Sequence, residues 1–266
     1  MYSARLQNMM PNESARDRHI TVHAVIWPLL ISLALYSTPA RADRLALWTI
    51  VHDHCAANLT AGNAPDPCAS IDPAKGVAIL KDQVGIAQYL AIPTSRITGI
   101  EDPQLLLDNA PDIWGAAWAA RSLLDAKLGH ALARDAVAIA VNSSLNRSQD
   151  QLHLHIDCLA PDVAEALSQA KDSLDVQWRL LPAPLKGLRY WARRVDSAEL
   201  AGVWPFRMLA DELSEAKGQM GLETLVAAGI TYVPAQPGFV LLAQQGDLGG
   251  GGHGENLQDH DCAIAH

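Results

Sequence analysis

The sequence predicts an α+β protein, an antiparallel meander sheet with helices on one face. Three observations carry this reading. The short apolar runs Val77–Leu80, Gln88–Ile92 and Ala136–Val141 have the length of strands and are bounded by Gly, Pro, Asp or Asn. The stretch Leu152-His-Leu-His-Ile-Asp157 alternates apolar and polar residues strictly, which is the period of a strand. A long pattern of helical period, Ile113 to Leu132, falls between the second and third of these strands, so the sheet is built from hairpins joined by a helix rather than from parallel crossovers.

At 266 residues and 49% hydrophobic, the chain suffices for one large domain or two small ones. A formal net charge of −9 argues against nucleic acid as partner, because that calls for a clustered positive surface. A small anionic substrate would need local cations instead.

Residues 1–42 read as an export segment. Arg5, Arg16 and Arg18 precede the apolar run Ile20 to Tyr36, and Thr38-Pro-Ala40-Arg-Ala42 ends in an Ala-x-Ala pattern. The run falls short of the roughly 20 apolar residues of a membrane span and carries His23 and Pro28, yet exceeds many cleaved signals. A cleaved signal peptide and a retained membrane anchor both stand. Either places the remainder outside the cytoplasm, periplasmic or at a bacterial inner membrane facing the periplasm. The four cysteines, Cys55, Cys68, Cys158 and Cys262, all lie in that remainder. Cys55 and Cys68 would close a short loop containing Gly62, Pro65 and Pro67, and that bridge is expected. Cys158 with Cys262 is then possible by elimination.

Along the chain, Leu45, Leu47, Trp48, Val51 and Cys55 recur at helical spacing and predict a helix from Arg44 to Asn58. Its His52-Asp53-His54 reads as a solvated face, since two histidines two apart point about 200° apart around a helix axis. Residues 59–76 read as loop. Val77–Asp82 and Gln88–Ile92 read as adjacent antiparallel strands. Asp112 caps the long helix, whose Trp114 and Trp118 belong to the core. Ala136–Val141 is the strand leading into the polar loop, and Pro161 opens a further helix to about Leu174. From about residue 176 come a basic strand, Lys186 to Val195, a helix from Pro205 to Lys217, and apolar runs at Leu222–Ile230 and Phe239–Leu242. That strand-helix-strand order is compatible with a degenerate second copy of the first unit. The folded domain is placed at residues 43–245, and Gly246–His266, rich in Gly, His and Asp, as a flexible tail.

The chemistry is expected on the alternating strand. Side chains two apart share a face, so His153, His155 and Asp157 point one way and Leu152, Leu154 and Ile156 the other. The preceding loop, Asn142 to Gln151, carries hydroxyl, amide and backbone donors that could form an anion pocket before the imidazoles. Neutral imidazole is a competent nucleophile toward phosphorus when its other nitrogen is held in one tautomer.

The motif His153-Leu-His155-Ile-Asp157 resembles the histidine-triad superfamily, whose pattern is His-φ-His-φ-His with φ apolar. Asp157 stands where the third His would be. The likeness extends to Asn142 and Gln149, eleven and four residues before His153, and covers roughly Val77 to Asp157. Within that superfamily, Asn-Ser-x-x-x-Arg-Ser-Gln-Asp-Gln-Leu-His-x-His behind an export segment is similar to the bacterial CDP-diacylglycerol pyrophosphatase family. The resemblance implies a histidine-triad-like fold and a metal-free, cofactor-free hydrolase of phospholipid metabolism acting on CDP-diacylglycerol near a membrane surface. It implies His155 as the nucleophile and His153 as an orienting or donating partner. Asn142, Ser148 and Gln149 would hold phosphate oxygens, and Asp82, beside Lys81, would hold the ribose. Asp157 would anchor a neighbouring imidazole, with Arg147 nearest to offset its charge. Self-association is left open.

Two rivals remain. His-x-His-x-Asp also begins the metallo-β-lactamase signature, which would make His153, His155 and Asp157 metal ligands. Cys158 stands where that signature needs His, and the only histidines beyond it are His253, His260 and His266. A non-catalytic nucleotide- or lipid-binding module would use the same pocket.

Overall fold

The computed structural model describes residues 43–232 and 235–266, so the expected export segment lies outside the described residues. Nine strands form one antiparallel sheet: β1 (Cys68–Asp72), β2 (Val77–Lys81), β3 (Tyr89–Pro93), β4 (Val137–Val141), β5 (Leu154–Cys158), β6 (Arg179–Leu180), β7 (Trp191–Val195), β8 (Glu223–Tyr232) and β9 (Gln236–Gln245). Their spatial order is β1-β2-β3-β5-β4-β8-β9-β7-β6. The α+β antiparallel architecture is thus the predicted one.

The order of the first half recurs in the second. β2-β3-β5-β4 maps onto β6-β7-β9-β8, with α3 (Ile113–Ala119) between β3 and β4 and α6 (Pro205–Glu212) between β7 and β8. The halves meet where β4 pairs with β8, through small partners such as Ala138 opposite Ala228. Both helices pack on one sheet face, where Trp114 meets Phe206 edge-on at 5.3 Å over a core that includes Ile139, Leu154, Ile156, Leu225 and Leu241.

Helices cover the other face as well, against the expectation of one covered face. The N-terminal helix runs from α1 (Ala46–Thr49) through a π-helical segment (Ile50–Ala56) into α2 (Ala57–Thr60). It lays Leu47, Val51 and Cys55 on Ala78, Leu80, Leu90 and Ile92. Helix α5 (Pro161–Ala170) lays Val163 and Leu167 on Ala138, Ala140, Val226 and Leu242. Strands β3, β4 and β5 are buried at every residue, which requires cover on both sides. Between these two patches the face carries His153, His155 and Asp157.

His52, Asp53 and His54 are solvent-exposed between buried Val51 and Cys55, as expected of a solvated face. Other elements differ from expectation. The long helix is two: α3 ends where the Arg121 guanidinium stacks on Trp118 and donates to its carbonyl at 2.7 Å. Helix α4 (Ser122–Leu128) follows and stops at Gly129, whose φ of 80° suits a left-handed C-cap. β1 lies in the region read as loop. Its Cys-Ala-Ser-Ile-Asp sequence has no apolar alternation, and the disulfide from Cys68 to Cys55 ties this edge strand to the helix. On β7, Arg193 is paired with Glu212 of α6.

The segment Gly246–His266 is not a flexible tail. Cys262 is bonded to Cys158 at the end of β5, Leu257 is fully buried, and Leu159 bridges to Gln258. Its glycines serve close approach rather than mobility. A Cβ at Gly252 would lie 2.5 Å from Ser143 Oγ, and one at Gly254 would lie 2.5 Å from Thr224 Oγ1.

One buried group works against the fold. Glu223 at the start of β8 is 1% exposed, neither carboxyl oxygen has a hydrogen-bond partner, and burial together with nearby Glu215 pushes it up to about 7. Because the folded chain binds this proton more tightly than the unfolded chain, its presence makes stability fall as pH rises from about 4.5 through about 7. Glu223→Gln is therefore expected to raise unfolding free energy at pH 8 by about 2–3 kcal/mol and to change it little at pH 4, measured by urea denaturation at both pH values.

Candidate active site

β5 is held from both sides. His155 lies opposite Leu90 of β3 and Ala140 of β4, and the Gln258 side chain donates to the His155 carbonyl at 3.0 Å and to the Ala138 carbonyl at 2.8 Å. The strand's alternation sends Leu154, Ile156 and Cys158 into the helix-covered core. His153, His155 and Asp157 therefore occupy the opposite face, with ring centroids of the two histidines 4.8 Å apart.

The two imidazoles are held differently. His153 Nδ1 lies 2.8 Å from the Gln151 carbonyl, which can only accept, so Nδ1 carries the proton. Gln151 is itself buried, its amide donating to the carbonyls of Pro93 and Ser95. His155 Nδ1 lies 3.0 Å from Glu255 Oε1 and 3.9 Å from Asp82 Oδ2. Two carboxylates facing Nδ1 favour the tautomer that carries the proton on it. The Gln88 amide nitrogen lies 2.8 Å from the same ring atom, 2.8 Å from Asp82 Oδ2 and 3.5 Å from Glu255 Oε1. His155 Nε2 is buried without a partner.

Burial holds both histidines neutral. Desolvation lowers His153, and desolvation with the neighbouring His153 lowers His155 to about 3. Burial alone would raise Glu255. Donors from His253 and Asn142 and the adjacent His155 outweigh it and hold the carboxyl down to about 2. Asn142 donates to the second oxygen of Glu255 and accepts from the Glu255 amide at 3.4 Å.

Asp157 is fully buried and accepts from His260 at 2.7 Å and from the Cys158 amide at 2.9 Å. Burial raises it, and its hydrogen bond raises His260 in turn. The imidazole beside Asp157 thus comes from the C-terminal segment, and Arg147 does not offset its charge. Arg147 is bound to Glu101 at 2.7 Å and to Asp150 at 3.3 Å.

A cavity of about 620 Å³ opens in front of the histidines. Its polar wall includes His153, His155, Asp82, Lys81, Ser148 and Gln149, and its apolar wall includes Leu47, Ile50, Leu80, Val84 and Leu90. Lys81 points its ammonium at the carbonyls of Asp82 and Gly85, and burial lowers its pKa. Gln149 uses its side chain to hold the N-terminal helix, accepting from the Leu47 amide at 3.1 Å and donating to the Asp43 carbonyl at 3.0 Å. Asn146 and the Ser143 amide bind the carbonyls of Gly251 and Gly252. On the three loop residues that line the cavity, Asn146, Ser148 and Gln149, the donors without a protein partner among the described residues are Ser148 Oγ and the backbone N–H groups of Ser148 and Gln149.

As a metal set, His153, His155 and Asp157 do not converge. Among the described residues the one cluster of such ligand atoms is Asp157, Cys158 and Cys262, and both cysteines are in a disulfide.

Residues 42–266 match the sequence profile of the CDP-diacylglycerol pyrophosphatase family. The chain belongs to that family. A CDP-diacylglycerol pyrophosphatase of Yersinia pestis is 42% identical over 221 residues, 82% of this chain and 84% of that protein.

Sequence reasoning missed Gln88, His253, Glu255, Gln258 and His260. One signal pointed to the last four: a bridge from Cys262 to Cys158, one residue beyond Asp157, fixes the end of the C-terminal segment beside the strand that carries the histidines. Replacing both Cys158 and Cys262 by Ser is expected to lower unfolding free energy by roughly 2–5 kcal/mol, and the cavity-side residues should lose order first. Urea denaturation gives the energy, and amide exchange at Glu255 and His260 gives the order of loss.

Proposed function

We propose that the chain hydrolyses the pyrophosphate bond of CDP-diacylglycerol to CMP and phosphatidate through a covalent cytidylyl-histidine. The observation that carries this reading is His155: an imidazole held neutral on the wall of a cavity of about 620 Å³, with a carboxylate facing Nδ1, no protein partner on the buried Nε2, and unpaired backbone and hydroxyl donors on the same wall. Membership of a hydrolase family named for this reaction agrees with it.

In the first step the Nε2 lone pair forms a bond to the cytidylyl phosphorus, the phosphorus–bridging-oxygen bond breaks, and phosphatidate departs with that electron pair. In the second, water attacks the same phosphorus, the P–N bond returns its electrons to Nε2, and one water proton passes to the medium as CMP leaves. The Ser148 hydroxyl and the amides of Ser148 and Gln149, on residues that line the cavity, would hold phosphate oxygens as charge develops on them. Asp82 and Lys81 line the same cavity and suit the ribose and a phosphate respectively. As the Nδ1–H tautomer, His153 has a lone pair on Nε2, so it orients the substrate or a water by accepting. Donation from it would require the imidazolium that burial opposes.

The apolar wall suits an amphipathic substrate at a membrane surface. Leu45, Val84, Ile86 and Leu145, all 46–53% exposed, lie on the segments that build this cavity. No helix among the described residues is long and apolar enough to cross a membrane, so in this reading residues 1–42 or these apolar side chains provide the association. The two disulfides suit an oxidising, extracytoplasmic compartment.

The protein incubated with CDP-diacylglycerol in EDTA should release CMP and phosphatidate, and His155→Ala should lower kcat by about 10³-fold or more. Loss of activity in EDTA with recovery on adding zinc or manganese would sink the metal-free mechanism, and full activity of His155→Ala would sink the nucleophile. Since His155 is held neutral down to about 3, kcat/KM in a steady-state pH series should show no inflection from this group near pH 6.5.

A further inference from the structure

We infer that Glu255, delivered by the C-terminal segment, is a positioning residue for His155: it fixes the Nδ1–H tautomer and stabilises the positive ring as the P–N bond forms. The inference rests on the reading of His155 as nucleophile and names the group that makes it one.

The geometry singles out Glu255. Nδ1 lies 3.0 Å from Glu255 Oε1 and 3.9 Å from Asp82, which is already engaged by Gln88 and by the Val84 amide at 3.1 Å. The carboxylate cannot swing away from the ring. Asn142 holds its other oxygen, His253 Nε2 lies 3.4 Å from that oxygen, and His260 Nε2 lies 4.0 Å from Oε1. His260 is in turn fixed by buried Asp157. With the proton on Nδ1, the lone pair must sit on Nε2, the ring nitrogen left without a partner. When Nε2 bonds to phosphorus, its lone pair is committed to the P–N bond and the ring becomes cationic. A carboxylate against Nδ1–H stabilises that cation more than the neutral ground state, which is the requirement for accelerating the step. When water cleaves the P–N bond the ring returns to neutral with the Nδ1 proton still in place.

The same contact gives Asn142, just before the loop, a partner other than substrate. Its side chain is spent on Glu255 at both ends, so it acts on the carboxylate rather than on a phosphate oxygen.

The test begins without substrate. Long-range ¹H–¹⁵N correlation of the ¹⁵N-histidine-labelled protein at pH 7 should show His155, assigned by comparison with His155→Ala, as the neutral Nδ1–H tautomer. An Nε2–H tautomer in the unaltered protein would overturn the inference whatever any variant does. Glu255→Gln keeps shape and hydrogen-bonding reach but removes the charge. It is expected to lower kcat by about 10²-fold or more with KM within threefold, and to shift His155 toward the Nε2–H tautomer. Glu255→Asp should recover part of kcat. A Glu255→Gln protein with kcat within threefold of the parent and an unchanged tautomer would refute the role. Should that variant not fold, Asn142→Ala, which frees one carboxylate oxygen, should still lower kcat with little change in KM, and equal kcat would refute it. Activity that survives in His155→Ala would instead defeat the nucleophile assignment, an outcome separate from all of these.

Discussion

An imidazole buried on a sheet face is kept neutral by desolvation, and it offers one bare nitrogen in a fixed direction only if its other nitrogen faces an acceptor that cannot move. Here that acceptor is Glu255, 3.0 Å from His155 Nδ1, and much of the C-terminal segment serves to keep it there. The Cys158–Cys262 bond ties the segment to the end of β5, buried Leu257 anchors its middle, and Gln258 reaches through to the carbonyls of His155 and Ala138. The glycines at 252 and 254 allow the backbone to lie against Ser143 and Thr224, where any side chain would collide. Active strand and distant chain end form one unit.

The sheet explains why the site can afford so much burial. β5 pairs with β3 and β4, and β4 pairs with β8 of the second meander, so the strand that carries His155, itself without a free edge, lies deep in the nine-stranded sheet. Its inner face is filled by Leu154, Ile156 and Cys158 against α3 and its neighbours. Its outer face is left between two apolar covers, the N-terminal helix on one side and α5 on the other, and that gap admits both the C-terminal segment and the cavity. The cavity inherits an apolar wall from the N-terminal helix and a polar wall from β5 and the loop before it, matching a substrate with a lipid end and a nucleotide end.

The active strand was legible because its chemistry and its packing share a period of two. Alternation alone places His153, His155 and Asp157 on one face, and the meander follows from short apolar runs and their bounding turns. Long-range pairing was not legible. Glu255 is 100 residues beyond His155 in a stretch whose Gly content reads as flexible coil, because composition does not distinguish glycines chosen for freedom from glycines chosen for close contact. Arg147 and Gln149 show the opposite error. Both sit in the donor-rich loop, yet one is bound to Glu101 and Asp150 and the other to the N-terminal helix, partners that sequence spacing cannot reveal. The break after α3 was hidden too, since it depends on where the Arg121 guanidinium falls on Trp118.

The most direct test of a covalent site built on His155 is a single-turnover quench. Protein in excess over CDP-diacylglycerol is stopped in acid-free denaturant within milliseconds to seconds and digested, and the β5 peptide is weighed. The account predicts a transient adduct with the mass of one cytidylyl group on His155, rising as phosphatidate appears and decaying as CMP appears. Phosphatidate and CMP released together, with no adduct at any time and with inversion at the cytidylyl phosphorus, would contradict it and point to direct attack by water.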